Sequence, residues 1–236
     1  MYVPEAFAER RSDVLCELIR NHPLATLVVL TADGIVANHL PMLHSPPALH
    51  SPLALHSPPA GTGGRQPADG FGTLHGHVAR ANPVWRDANG QIEALAIFQG
   101  PQGYVSPGWY PSKHAAGGKV VPTWNYVVVQ ARGTLRFIQD PAWLLEHVTA
   151  QTDVREVRSG AARWRVSDAP AAFIDTLLHS IVGCELAVRT VTGKWKLSQN
   201  KSVDDRAGVV AGRAAAAATA AQGDPLAQFM SAYRSP

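Results

Sequence analysis

Apolar residues recur along the first half of the chain with a period of two. LATLVVL (Leu24 to Leu30), a TADG turn ending in Asp33-Gly34, and IVANHLPML (Ile35 to Leu43) together predict a β-hairpin. TLHGHVA (Thr73 to Ala79), EALAIF (Glu93 to Phe98) and the long run TWNYVVVQARGTLRFI (Thr123 to Ile138) read as further strands, with Gly133 as a bulge or sharp bend. CELAVRTVTGKWKLS (Cys184 to Ser198) reads as a strand or as a hairpin pair about Thr192-Gly193. Helical signals are fewer. Ser12 or Asp13 caps a short helix to about Arg20, and Asn21 and Pro23 stop it. Asp140-Pro141 opens a helix to about Gln151, another runs from Pro170 to Ser180, and the Ala-rich tail from Arg206 is expected to be helical and loosely tethered near its end. ARANPVW (Ala79 to Trp85) is a short irregular or helical piece before a DANG turn. GPQGYVSPGWYPSKHAAGGKVVPTW (Gly100 to Trp124) holds too much Gly and Pro for a long regular element. Strands joined by short turns and flanked by helices predict a mainly β chain with helical additions (α+β), an antiparallel barrel; a Rossmann sheet is disfavoured.

LHSPPA, LHSPLA and LHSPPA repeat from Leu43 to Ala60, and GTGGRQPADGFG follows them. The stretch 44–72 is expected to be a Pro/Gly-rich surface insertion in a domain covering 1–205, with the helical tail as 206–236. His44, His50 and His56 owe their spacing to the repeat, which replication of a short DNA unit explains without selection for metal ligands.

The 236 residues suffice for a sizeable core. Twenty-one Lys and Arg against 18 Asp and Glu give +3, with no like-charge run, so nucleic-acid binding is neither demanded nor excluded. Cys16 and Cys184 have no paired spacing, and no leader or membrane span is apparent, so a reducing cytoplasmic home is expected.

GTGGR (Gly61 to Arg65) lacks the ending of a phosphate-cradling loop, and hydrolase, zinc-protease and kinase motifs are missing. His75 and His77, two apart on a strand, share a face on which two imidazoles can reach a metal; interior hydrogen bonding or ligand contact is the plainer reading, and no metal site is expected. His39 on the preceding strand is a possible third member. Trp109, Tyr110, Trp124 and Tyr126 interleave with Lys113 and Lys119, a combination suited to a planar phosphorylated ligand or to the filling of a barrel end.

HPLATLV, NHLPML, GHVARANPVW, IFQGPQGYVSPGWYP, KVVPTWNYVVVQARG, GKWKLSQN and DRAGVVAG follow one another in order. Through them the chain resembles the FMN-binding negative transcriptional regulators of the PaiB type. The resemblance implies an FMN-binding split β-barrel, usually a homodimer, with FMN at or near the subunit interface. It places Asn38, His39 and Pro41 along the isoalloxazine and His77, Arg80 and Asn82 at the phosphate. Trp109, Tyr110, Lys113, Lys119, Trp124, Asn125, Lys196, Ser198 and Gln199 would complete the pocket. Gly108 stands where a small polar residue is expected in relatives. A regulator touching DNA is the first reading. A flavin-dependent oxidoreductase with His39, His77 or Tyr110 as acid-base candidates is the second, and haem binding or degradation the third. Catalytic residues cannot be assigned.

Overall fold

Eight antiparallel strands and six α-helices make up the computed structural model, which describes residues 1–32, 34–47, 71–87, 90–115, 117–157, 163–217 and 223–233. The strands are β1 (Ala8–Glu9), β2 (Leu24–Thr31), β3 (Gly34–Pro41), β4 (Leu43–Ser45), β5 (Thr73–Ala79), β6 (Ile92–Val105), β7 (Thr123–Ile138) and β8 (Ile181–Lys196). The helices are α1 (Ser12–Asn21), α2 (Val84–Asp87), α3 (Pro141–Glu156), α4 (Ala171–Leu178), α5 (Val203–Ala216) and α6 (Pro225–Ala232). Strand order in the sheet is β3-β2-β6-β7-β8-β5-β4, and β1 pairs with β8. The chain divides into two units, one from 1–18, 99–129 and 192–236, the other from 19–98 and 130–191.

In the second unit the predicted hairpin forms with Leu24 opposite Pro41 and Thr31 opposite Gly34, whose φ of 114° only glycine adopts readily. Ala25, Leu27 and Val29 alternate into the core, as the period of two requires. β5 has the expected ends and pairs with β8, His75 opposite Glu185 and His77 opposite Gly183. Asp140 caps α3 by accepting from the Ala142 amide, and Pro141 fills the first turn. Trp143 and Leu144 of α3 pack with Leu178 of α4.

In the first unit Phe7, Leu15, Val127, Trp195, Leu197, Val209, Leu226 and Met230 are buried. Asp205 of α5 accepts from the backbone and hydroxyl of Ser112 at 3.0 and 2.7 Å, which docks the Ser106 to Lys113 segment on that helix.

Three expectations need correction, and one open alternative is decided. β6 does not stop at Phe98 but runs through Gly100 and Pro101 to Val105. A side chain at Gly100 would meet Leu18 Cδ1 at 2.8 Å, so bareness there permits close packing, and burial alternation skips a residue across Pro101-Gln102, as in a bulge. Of the two readings of Cys184 to Ser198 the single strand holds, as part of β8, because Gly193 pairs with Glu9 and lies against Leu15 and Trp195. The first repeat unit is not all surface loop: Leu43–Ser45 pairs with Thr73 to His75. The remaining repeat units and GTGGR lie outside the described residues. Finally, the tail is anchored. Arg213 donates to both oxygens of Asp224 at 2.9 and 2.5 Å, Arg206 to the Met230 carbonyl at 3.1 Å, and the Tyr233 hydroxyl to Glu9 at 3.0 Å.

Candidate functional site

Asn38 and Asn82 meet in the second unit, where the end of β3 lies beside the turn from β5 into α2. The Val84 amide donates to Asn82 Oδ1 at 3.0 Å, which fixes that atom as the acceptor. Asn82 Nδ2 therefore donates, and it does so to Asn38 Oδ1 at 2.6 Å. Asn38 is left presenting its Nδ2, a buried donor with no protein acceptor among the described residues. Such a group is costly unless a ligand or water accepts from it.

Trp85 lies beside this pair, with its indole N–H donating to the Arg80 carbonyl at 2.9 Å. The Arg80 and Arg86 guanidiniums stand over its ring at 5.8 and 4.7 Å. Arg80 spends three N–H groups on protein: Nε on the His179 carbonyl at 2.7 Å, Nη1 on Gln139 Oε1 at 2.8 Å and Nη2 on the Ile181 carbonyl at 3.1 Å. Arg86 is exposed and, among the described residues, makes one long bond, 3.4 Å, to the Arg80 carbonyl. Arg80 thus braces the turn, and Arg86, which the sequence reading passed over, is the freer cation. Only its place in the RANPVWR run, six residues after Arg80, hints at it. His39 and Pro41 are exposed on β3, and the Pro41 carbonyl accepts from Gln151 at 3.1 Å. The donor set, a bare amide N–H₂ beside two guanidiniums and an indole face, fits a heteroaromatic ring edge with carbonyl acceptors and a phosphate dianion.

His75 and His77 do share a face, and α3 answers both. His77 Nδ1 is 3.1 Å from His147 Nε2. His147 stacks on Trp143 with ring centroids 5.2 Å apart, and His75 meets Trp143 edge-on at 5.6 Å. His75 Nε2 is 3.2 Å from Glu185, which also accepts from Arg136 at 2.7 Å. Burial lowers the His77 pKa; burial and the neighbouring His77 and His75 push His147 to about 3. Both rings are neutral at pH 7, so His77 supplies no cation to a phosphate. Burial raises Glu185, but hydrogen bonds and charge from His75 and Arg136 outweigh it and hold the carboxyl below its usual range. Among the described residues no cluster of three His, Cys, Asp or Glu is placed to hold a metal ion. Gly183 makes room for this cluster: a Cβ there would lie 2.3 Å from Trp143 Cζ3.

The other motif residues lie in the first unit, most of them occupied internally. Asn125 Nδ2 donates to Ser198 Oγ at 2.9 Å, both buried, and Ser198 has φ 64°, a left-handed conformation that the bond holds. Gln199 accepts from the Leu197 amide and donates to the Trp195 carbonyl. Lys196 donates to Thr123 Oγ1 and to the Trp124 carbonyl, and burial lowers its pKa. Trp109 rests on Gly208 and Gly212 of α5, where added Cβ atoms would come within 2.1 Å of its carbonyl and 2.3 Å of its ring. Tyr110 is buried beneath the Lys201 ammonium, 5.2 Å from its ring centroid. Lys113, Lys119 and Trp124 are exposed, and Trp124 donates to Gln102 at 3.1 Å.

Comparison with known proteins agrees with the motif reading. A family model described as "Putative FMN-binding domain" matches residues 1–190. An uncharacterized protein of Emericella nidulans is 32% identical over 250 aligned positions covering 90% of each chain. Protease synthase and sporulation protein PAI 2 of Bacillus subtilis is 26% identical over 211, covering 89% of this chain and 87% of its own. Among solved structures, the flavocytochrome Anf3 of Azotobacter vinelandii superposes with a TM-score of 0.53 at 11% identity, covering 87% of this chain and 78% of its own. An FAD and heme binding protein of Mycobacterium smegmatis gives 0.51 at 14%, covering 85% and 78%. These two likenesses carry the fold, an antiparallel split-barrel class with added helices, as expected from the sequence.

Proposed function

Because this chain belongs to the family described as "Putative FMN-binding domain", we propose that its second unit binds FMN through the Asn38–Asn82 pair and the Arg80–Trp85–Arg86 stack. The observation that carries this reading is the buried Asn38 Nδ2, a donor fixed by its neighbours and given no protein acceptor among the described residues. Asn38 donates to a carbonyl of the ring edge, Asn82 holds Asn38 in that orientation, and Arg86 with Arg80 supplies charge for the phosphate. His39 and Pro41 flank the ring from the exposed side of β3. Bound FMN supplies redox chemistry and a visible chromophore. Asn125, Ser198, Gln199, Lys196, Trp109 and Tyr110 serve chiefly to hold the first unit's loops in shape, and Lys113, Lys119 and Trp124 remain available to a ligand.

The biological role we infer is that of a cytoplasmic, PaiB-like negative regulator of transcription acting as a homodimer, with DNA as its target. Its support is the kinship with PAI 2, whose name refers to protease synthesis and sporulation. No helix among the described residues is long and apolar enough to cross a membrane.

The test is the absorbance spectrum of the purified protein, with identification of whatever heat releases. Released FMN is expected, and Asn38→Ala should weaken its retention about tenfold, the value of one well-made hydrogen bond. A protein that is colourless and takes up no added FMN refutes the reading. The regulatory role predicts a mobility shift of DNA from the protein's own operon that weakens with salt.

A further inference from the structure

In the first unit, neighbouring parts of β6, β7 and β8 present an outer face made of aromatic and cationic side chains. On β6 the buried Gly103 separates Gln102 from Tyr104, on β7 the buried Asn125 separates Trp124 from Tyr126, and on β8 the buried Trp195 separates Lys194 from Lys196. The period of two therefore puts these six residues on the side away from the core. Contacts between strands join them. Trp124 and Tyr104 meet edge-on at 6.4 Å, and the Trp124 indole N–H donates to Gln102 at 3.1 Å. The Lys194 ammonium stands 5.4 Å from the Tyr126 ring centroid and 5.9 Å from that of Tyr2. Tyr104 and Trp124 are each 47% exposed. Among the described residues Lys196 spends two of its three N–H groups on protein, on Thr123 and the Trp124 carbonyl, and Lys194 spends one, on the Tyr2 carbonyl.

The charge on this face has one sign. Residues 99–129 and 192–203 contain five lysines and no Asp, Glu or Arg. Of the unit's carboxylates, Glu5, Glu9, Asp205 and Asp224 are engaged by Arg10, Arg11, Ser112 and Arg213, while Asp13, Glu17 and Asp204 belong to α1 and α5. Half-open rings beside ammonium groups suit bases and the phosphates that join them. In a duplex the base faces are covered by their neighbours, so rings on a sheet can stack only on unpaired bases. A second copy of the chain fits less well, because a two-fold contact would set lysine against lysine, and lysine is depleted in protein interfaces.

We propose that this face binds a short run of single-stranded DNA, with bases stacked on Trp124 and Tyr104 and phosphates taken by Lys194 and Lys196. The choice of DNA rests on the regulatory reading above, whereas the face itself is independent of the Asn38–Asn82 site, which belongs to the other unit.

Fluorescence anisotropy of the full chain tests the proposal, with a labelled twelve-nucleotide oligothymidylate, an abasic strand of equal charge, a duplex of equal length and an oligouridylate. Saturable binding of the oligothymidylate is expected, at least tenfold tighter than the abasic strand or the duplex. Trp124→Ala and Tyr104→Ala should each weaken it about tenfold, the worth of one stacked base, with unchanged circular-dichroism melts, and Trp124→Phe should recover most of the loss. Lys194→Gln should flatten the slope of log affinity against log salt by about 0.7, the share of one phosphate on a single strand. FMN retention in Tyr104→Ala and Lys194→Gln should equal that of the parent. Equal affinity for the abasic strand, tighter binding of the duplex or of oligouridylate, or unaltered binding in both aromatic variants would overturn the proposal. So would loss of FMN in Tyr104→Ala, which would give the face to the flavin, or dissociation of a dimer in that variant, which would give it to a second copy. Failure to shift operon duplex while oligothymidylate still binds would count against the regulatory reading alone.

Discussion

Helix α5 contains a glycine that helix propensity alone would advise replacing. Gly208→Ala in a helix interior should add about 1 kcal/mol of stability. Here the new Cβ would sit 2.1 Å from the Trp109 carbonyl oxygen and 2.9 Å from Pro111 Cδ, against ordinary contacts of 3.4 Å or more. The first obstacle is backbone, so the clash cannot be relieved by turning a rotamer. The Ser106 to Lys113 segment must withdraw by more than an ångström, and overpacking of that kind costs about 1–3 kcal/mol. With a backbone obstacle the upper part of the range applies, and the net is a loss of about 2 kcal/mol, or roughly 4–8 °C for a chain of this size. The comparison is Ala211→Gly, an exposed position of the same helix, which should lose about 1 kcal/mol from propensity alone. Urea unfolding followed by tryptophan fluorescence and circular dichroism measures both. A Gly208→Ala protein with a higher midpoint than the parent would mean that Trp109 is not seated on α5 as described, and the account of why SPGWYP and DRAGVVAG occur together would fail.

Three further outcomes are expected. An unfolded histidine protonates near pH 6.5, whereas His147 stays neutral in the folded protein down to about 3. The unfolded state therefore binds more protons in that window, and stability should fall with pH by up to about 1.4 kcal/mol per unit. His147→Phe keeps the stack on Trp143 and should flatten the slope of urea midpoints between pH 6.5 and 4.5; an unchanged slope would contradict the buried neutral ring. Glu185 has the opposite habit, its folded pKa depressed, so its contribution is present above the unfolded carboxylate pKa and disappears as pH falls through the folded value. Glu185→Gln should accordingly be most destabilising at pH 7 and least below pH 4 in the same titration. Asp224→Ala removes the α6 cap to the Ala227 amide and two bonds from Arg213, a loss of about 1–3 kcal/mol, and should expose the C-terminal helix to limited proteolysis while the rest of the chain survives.

The hairpin, β5, β7 and the capped start of α3 were legible because each is written locally: a period of two, an Asp-Gly turn, an Asp-Pro start. β6 was not, since its Gly100 and Pro101 look like breakers until Leu18, from far away in the chain, is seen to fill the space a side chain would take. The same holds for Gly193, whose partners Glu9 and Leu15 lie nearly two hundred residues earlier. For the site, the resemblance marked Asn38 and Asn82 through the NHLPML and GHVARANPVW motifs, but their mutual bond needed the fold. Arg86 escaped because a lone arginine has no pattern, and the division of labour between Arg80 and Arg86 depends on which carbonyls lie within reach. Asn125 and Ser198 stood out in their motifs as well, yet they are each other's partners, a pairing 73 positions apart that no local rule contains.

The bond from Tyr233 to Glu9 joins residues 224 positions apart, and the Arg11 guanidinium lies 5.7 Å from the same tyrosine ring. The first unit is thereby assembled from the beginning, middle and end of the chain. During synthesis its opening strand must wait, unpaired, until Gly193 and Lys194 have been made, and its bond from Tyr233 waits about forty residues more, whereas all of the second unit has emerged by residue 191. Order of manufacture thus favours the second unit, with its asparagine pair and arginine stack, as the first to mature. A circular permutant that joins residue 236 to residue 1 and opens the chain elsewhere would let β1 and α6 be made together.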